Sequence, residues 1–183
     1  MERDEYETPK WLVQECLKKL AAVVEHRALL RFNEQSILDP CTGNGAWFKE
    51  LGKFRNSNGL SPTTLHYCEI REGLDFYKCT DNYNIIVGNP PFSQLTKWLN
   101  WSIHRSNGFI AYLLPASALN HNRLSMMEDY GFYLTAIHSL PNPKEWNLGF
   151  AHFFCIWTNE YSTDVLETIM KKEGVQTFLE DYL

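Results

Sequence analysis

IIVGNPPFSQ, residues 85–94, is the stretch on which the fold turns. Ile85, Ile86 and Val87 form a continuous apolar run, as expected of a strand buried on both faces. The run passes straight into Asn89-Pro90-Pro91-Phe92. Proline has no amide donor and a fixed φ, so the strand ends there. A residue that precedes proline is held extended, and both Asn89 and Pro90 do so. The Asn89 side chain and the Pro90 carbonyl are therefore presented by a stiff turn at the strand's carboxyl end. In open α/β sheets that edge is where ligands bind.

Outward from this strand the pattern alternates. A helix is predicted over 93–105, with Leu95, Trp98, Leu99 and Ile103 on one side, and a buried strand over 109–114, closed by Pro115. Upstream, 9–31 reads as a helix with Thr8 as N-cap and Pro9 in its first turn. Residues 36–39 are a short strand, 46–54 a helix, 55–63 a loop and 64–69 a second strand. Downstream, 126–130 is a short helix. Strands at 134–139 and 150–157 form an antiparallel hairpin, and 163–172 is a terminal helix. Strands alternating with helices predict an α/β fold, a mostly parallel sheet covered on both faces. No linker divides the 183 residues, which suit one domain, with a core at about 6–160 and a helical tail at 161–183.

The net charge of −5 argues against an extensively basic nucleic-acid-binding face. Five cysteines, an odd number without CxxC spacing, read as reduced thiols rather than disulfides or a metal site. The charged start, MERDEYETP, is not a signal peptide, and no apolar run reaches membrane-spanning length. The expectation is a cytoplasmic protein with no metal and no membrane contact.

The first strand ends Asp39-Pro40-Cys41-Thr42-Gly43-Asn44-Gly45. Glycines after a parallel strand let the backbone turn sharply and approach a ligand. A full GxGxxG is lacking, and so is the Lys-Ser/Thr pair of a P-loop, which disfavours a plain dinucleotide site and an NTPase. The second strand ends in Glu69, placed to grip ribose hydroxyls.

Thr8-Pro9, the DPCTGNG turn, Glu69, Asp75-Phe76 and NPPF stand in the order found in class I S-adenosylmethionine-dependent methyltransferases. More narrowly, the chain resembles N6-adenine DNA methyltransferases with the motif order of the gamma group. The resemblance spans roughly residues 6–160. It implies a Rossmann-like methyltransferase fold and S-adenosylmethionine as cofactor. It also implies roles for single residues. Thr8, Pro9, Asp39, Pro40, Cys41, Gly43 and Gly45 would face the methionine part of the cofactor and Glu69 its ribose. Ile70, Asp75 and Phe76 would face its adenine. Asn89, Pro90, Pro91 and Phe92 would be catalytic, and Trp146 would sandwich the target base. Lys97 and Arg123 are candidates for phosphate contact, with Arg105 and Lys144.

Chemically, an exocyclic aromatic amine is a weak nucleophile because its lone pair is delocalised. Two acceptors beneath it, the Asn89 side-chain oxygen and the Pro90 carbonyl, would localise that pair, and Phe92 would stack on the base.

Two departures from the family modify these expectations. Five residues between Glu69 and Asp75 cannot hold a parallel crossover, so the edge strand after Glu69 is expected to be missing. No target-recognition domain is expected either, so specificity would be weak or would come from a partner protein. Open alternatives are an RNA amino-methyltransferase, a protein glutamine methyltransferase and a non-catalytic subunit of a heteromeric complex.

Overall fold

The structure, a computed structural model, describes residues 7–26, 32–54, 64–144, 146 and 151–159. The predicted loop at 55–63 and terminal helix at 163–172 lie outside them. The described chain runs α1 (Lys10–His26), β1 (Ser36–Asp39), α2 (Ala46–Lys53), β2 (Thr64–Tyr67), β3 (Tyr83–Gly88), α3 (Leu95–Ile103), β4 (Ser106–Pro115), α4 (His121–Asp129), β5 (Tyr133–Leu140) and β6 (His152–Thr158).

The six strands form one sheet in the order β2-β1-β3-β4-β6-β5. β1 to β4 pair in parallel, whereas β6 runs antiparallel between β4 and β5. The hairpin is thus present, but its second strand sits inside the sheet and its first forms the edge. β2 is the opposite edge. Residues 69–82 are all described and contain no strand, only two 3-10 turns and a single Glu69–Leu74 bridge. The missing edge strand follows from chain length, as expected.

Successive strand residues point to opposite faces, and each face has its own core. On one side Ile37, Ile85, Val87, Ala111 and Phe154 pack under α1 and α2. On the other, Leu38, Ile86, Ile110, Tyr112 and Trp157 pack under α3 and α4. β1 is short, and its start is stitched to β3 by side chains. Asn84 Oδ1 accepts from Ser36 N and Oγ at 3.1 and 2.8 Å, and Ser36 Oγ accepts from Asn84 N at 3.0 Å.

Three local expectations are corrected. Thr8 does not cap α1. The Pro9 carbonyl accepts the first helical bonds, and the Thr8 hydroxyl is engaged elsewhere. The helix expected at 126–130 begins at His121, because Asn120 Oδ1 caps it by accepting from Arg123 N. His121, Asn122 and Arg123 are therefore a helical first turn rather than a loop. The helix expected from Ser93 begins with a 3-10 turn, Phe92–Gln94. No helix among the described residues is long and apolar enough to cross a membrane.

Gly108 gives a direct test of the β3–β4 contact. A Cβ there would lie 2.9 Å from the Asn84 carbonyl oxygen, which is backbone and cannot swing aside. Gly108→Ala is expected to cost about 1–3 kcal/mol of stability. It should read out as a lower urea midpoint with unchanged slope.

Candidate active site

Because β1 to β4 are parallel, their carboxyl ends share one edge of the sheet. There the DPCTGNG turn, the segment after β2 and the NPPF turn meet. The β1 and β3 tips are in contact. A Cβ on Gly88 would stand 3.3 Å from Asp39 Oδ1 and 3.4 Å from Pro40 Cδ, so only a glycine leaves this spacing undisturbed.

Asp39 is fully buried. Its Oδ1 accepts from Cys41 N at 3.3 Å, and its Oδ2 has no hydrogen-bond partner. Burial pushes its carboxyl up to about 7. The nearby Glu69 charge adds to the rise. The Thr42 hydroxyl, close by without completing a hydrogen bond, and the Cys41 and Phe48 amides oppose it. Thr42 Oγ1 is likewise buried without a partner. Two buried polar groups thus stand side by side with capacity for further hydrogen bonds.

The turn itself depends on left-handed backbone at Gly43 and Gly45, with φ of 56° and 84°. Gly45 also precedes α2 and has no side chain to cap it, and Asn44 Oδ1 accepts from Ala46 N at 3.2 Å. Glu69 closes this turn from the β2 side. Its Oε2 accepts from Gly43 N at 2.8 Å, and its Oε1 accepts from Arg71 N and Nε at 3.0 and 2.9 Å. Partial burial would raise its pKa, but the Arg71 guanidinium and these amides outweigh it and hold the carboxyl below its ordinary value. The two acids are thus set apart, one charged and one held near neutrality. Ile70, beside Glu69, is 71 % exposed and offers an apolar face at the rim.

The NPPF turn is held from below. Cys41 Sγ donates to the Asn89 backbone oxygen at 3.2 Å. Burial, with Asp39 and Glu69 nearby, pushes the Cys41 thiol well up, so it remains a donor. Asn89 Nδ2 donates to Thr8 Oγ1 at 3.3 Å, which turns the amide's oxygen end away from Thr8. The same hydroxyl accepts from Trp47 Nε1 at 3.1 Å. Thr8 therefore ties the start of the chain to both α2 and NPPF, and Pro9 follows as the first turn of α1. Pro90 is buried, and Pro91 and Phe92 are half-buried.

Asp75 joins the same edge: its charge, like that of Asp39, acts on the Cys68 thiol, which burial above all pushes up to about 12. Its Oδ1 accepts from Tyr77 N at 3.0 Å. Phe76 is placed differently from expectation. At 2 % exposure, with its ring 4.9 Å from that of Trp98, it packs into the core under α3 and offers no open face. Trp146 is also a core ring. It is 6 % exposed, and its Nε1 donates to the Glu7 carbonyl at 2.9 Å. Phe92 is the half-buried ring of the turn. Lys97 Nζ lies 3.9 Å over the Tyr77 ring, and Arg123 is on the first turn of α4. Arg105, another phosphate candidate, is turned to the Thr80 carbonyl at 2.7 Å, and Lys144 is an exposed loop residue.

Sequence reasoning missed His152. At the start of β6 its ring centroid is 5.9 Å from that of Phe92 and 5.1 Å from that of Trp146, and its Nδ1 pairs with Asn142 Oδ1 at 2.9 Å. Burial lowers its pKa, so it backs Phe92 as a neutral ring. Its position after the proline-rich 141–149 segment was the one available signal. Thr42 and Arg71 were missed because their parts depend on the fold of the turn. No group of three or more His, Cys, Asp or Glu side chains placed to hold a metal occurs among the described residues.

No protein-family model matches the sequence, and no curated protein matches it. Solved structures do. The chain is similar to a Pyrococcus horikoshii protein named as an RNA methyltransferase (TM-score 0.62, 13 % identity, 87 % of each chain covered). It is similar to magnesium protoporphyrin IX methyltransferase of Synechocystis with S-adenosylmethionine bound (TM-score 0.53, 11 % identity, 80 % of this chain and 79 % of that one). It is also similar to the M protein of the type I restriction enzyme EcoKI (TM-score 0.57, 13 % identity), covering 84 % of this chain but only 44 % of that one. The chain thus spans less than half the length of the M protein. The fold is the Rossmann-like fold of class I methyltransferases.

The raised Asp39 carboxyl makes stability pH-dependent. Protonated, it is buried at little cost. Stability from this group is greatest below about pH 4, falls as the pH rises, and the loss is complete once the pH passes about 7. Asp39→Asn should match the parent at pH 4 and exceed it at pH 8, by up to roughly 4 kcal/mol. Thermal unfolding at the two pH values checks this.

Proposed function

We propose that the chain is an S-adenosylmethionine-dependent methyltransferase acting on the N6 amine of adenine in DNA, with sequence choice that is weak or set by a partner protein. The observation that carries the reading is the NPPF turn, pinned by Thr8 and Cys41, beside a buried acid with an unmatched oxygen. The neighbours in fold support the cofactor, and the M protein of a restriction enzyme is among them. The net charge of −5 limits the phosphate contacts that hold and orient a nucleic acid.

The residues fit the cofactor. Asp39 Oδ2 and Thr42 Oγ1 offer acceptors to an ammonium group, and the acidic pair Asp39 and Glu69 suits a cation. Glu69 can take ribose hydroxyls by exchanging its bond to Gly43, and exposed Ile70 can cover a purine. When bound, S-adenosylmethionine supplies an electrophilic methyl group on a sulfonium and leaves as a neutral thioether.

The chain supplies position and polarity. The Asn89 side-chain oxygen and the Pro90 carbonyl each accept an N–H bond from the adenine amine, which favours a pyramidal nitrogen and withdraws its lone pair from the ring's π system. The amine held by Asn89 and Pro90 would receive that methyl group, and the cationic amine would then release its proton to solvent. No strong base is needed, because the proton becomes acidic only after transfer. The prolines and the Cys41 bond keep the acceptors fixed, so little reorganisation is left for the reaction itself. Phe92, backed by His152, stacks on a base that has been turned out of the duplex.

Methyl transfer from labelled cofactor to duplex DNA, single-stranded DNA, RNA and protein is the test, with products digested and identified. N6-methyladenine in DNA is expected. Asn89→Ala should lower kcat by about 100-fold or more with cofactor affinity retained, and Phe92→Ala should raise KM about tenfold. Label found only in RNA or in protein glutamine would overturn the DNA assignment. Cofactor binding without transfer to any of them would point to a subunit that works through a partner.

A further inference from the structure

The chain leaving Phe92 runs along a cleft of about 360 Å³ lined by Ser93, Gln94, Leu95, Thr96, Lys97 and Arg123. The cleft lies between α3 and α4 and starts one residue after the NPPF turn. Its lining holds two cations and no acid. Among the described residues no carboxylate pairs with Lys97 or Arg123.

Arg123 is aimed by neutral groups. Its Nε donates to Thr96 Oγ1 at 2.9 Å, and its Nη1 to the Ser117 and Ala118 carbonyls at 3.4 and 3.3 Å. Its Nη2 takes part in none of these bonds. A guanidinium held this way has already lost its rotamer freedom, so a further contact costs little ordering. Lys97 is steadied over the Tyr77 ring, whose hydroxyl donates to Gln94 Oε1 at 3.3 Å. α3 begins inside the lining without a side-chain cap on its first turn. In a chain of net charge −5, two cations in one cleft with no acid partner among the described residues are a local attractor for anions. Arginine and lysine sharing one cleft suit a phosphate oxygen pair.

We propose that this cleft holds a backbone phosphate of the DNA strand, adjacent to the base presented to Asn89, with Arg123 and Lys97 as its contacts. The proposal rests on the reading of the NPPF turn as a nucleobase site, and places the strand across the start of α3.

The test is anisotropy of a labelled thymidine oligonucleotide of about 16 residues, titrated at several salt concentrations. Each phosphate contact on a single strand contributes about 0.7 to the slope of log affinity against log salt. Lys97→Gln should reduce the slope by about 0.7, and Lys97→Gln with Arg123→Gln by about 1.4, while affinity for S-adenosylmethionine stays the same. Arg123 also braces α4, so Lys97→Gln alone decides the outcome if the double variant fails to fold. An unchanged slope in Lys97→Gln overturns the proposal. Displacement of the oligonucleotide by millimolar inorganic phosphate at matched ionic strength also overturns it, in favour of a small-anion site. Thymidine carries no N6 amine, so the two readings fail separately. A reduced slope without N6-methyladenine formation on adenine-containing DNA leaves the cleft standing and removes the substrate assignment. Methylation with an unchanged slope does the reverse.

Discussion

Asp39 is a carboxyl group with no access to water, and the arrangement around it follows from that. Burying an ionised carboxylate without full pairing is costly, so a fold that only needed a strand end here would not place one. The surroundings accommodate it in a specific way. Gly88 leaves room for it at the β3 tip. The Cys41 amide satisfies one oxygen, and the Cys41 thiol stays protonated and so adds no second charge. Glu69, the neighbouring acid, is charged but compensated by Arg71. The turn thus stores one unmatched acceptor at the floor of the site, at the expense of stability at neutral pH.

The second constraint is the Thr8 hydroxyl. It accepts from Trp47 and from Asn89, which lie on α2 and after β3. Nearby, the Glu7 carbonyl accepts from Trp146, whose ring meets His152, whose ring meets Phe92. The amide and the aromatic of NPPF are thereby linked to the same short stretch of chain, from opposite sides. The Asn89 amide and the Phe92 ring thus share one support, and displacement of Glu7 and Thr8 would move both.

Much of this was legible in the sequence because it is local. A proline pair after an apolar run can only end a strand, and five residues after Glu69 can only make a turn. The glycines of DPCTGNG announce left-handed backbone. What was not legible depends on partners distant in the chain. Phe76 was expected against a purine, but its burial is decided by Trp98 on α3. Trp146 was expected to face a base, but the Glu7 carbonyl takes its N–H. Thr8 had the composition of a helix cap, and two side chains from elsewhere claimed its oxygen instead. The start of α4 was hidden because Asn120 reads as loop until its side chain is seen to accept from Arg123. The 3.6-residue pattern of that helix is weak, with Met127 its one buried residue.

The position of β6 has a consequence for how the chain reaches this structure. Among the described residues β5 pairs with no strand but β6, and β6 lies between β5 and β4. During synthesis at about 5–20 residues per second, β1 to β4 can zip together in turn as each emerges. β5 then emerges to find no neighbour to join. It must wait for residues 152–158, with apolar Leu134, Ala136 and Ile137 and its backbone groups uncovered. The far half of the sheet closes only when its last strand slides into a slot already bounded on one side. Until residues 152–158 have emerged, the open edge of β4 and the unpaired β5 are exposed together, the state most open to association with its own copies.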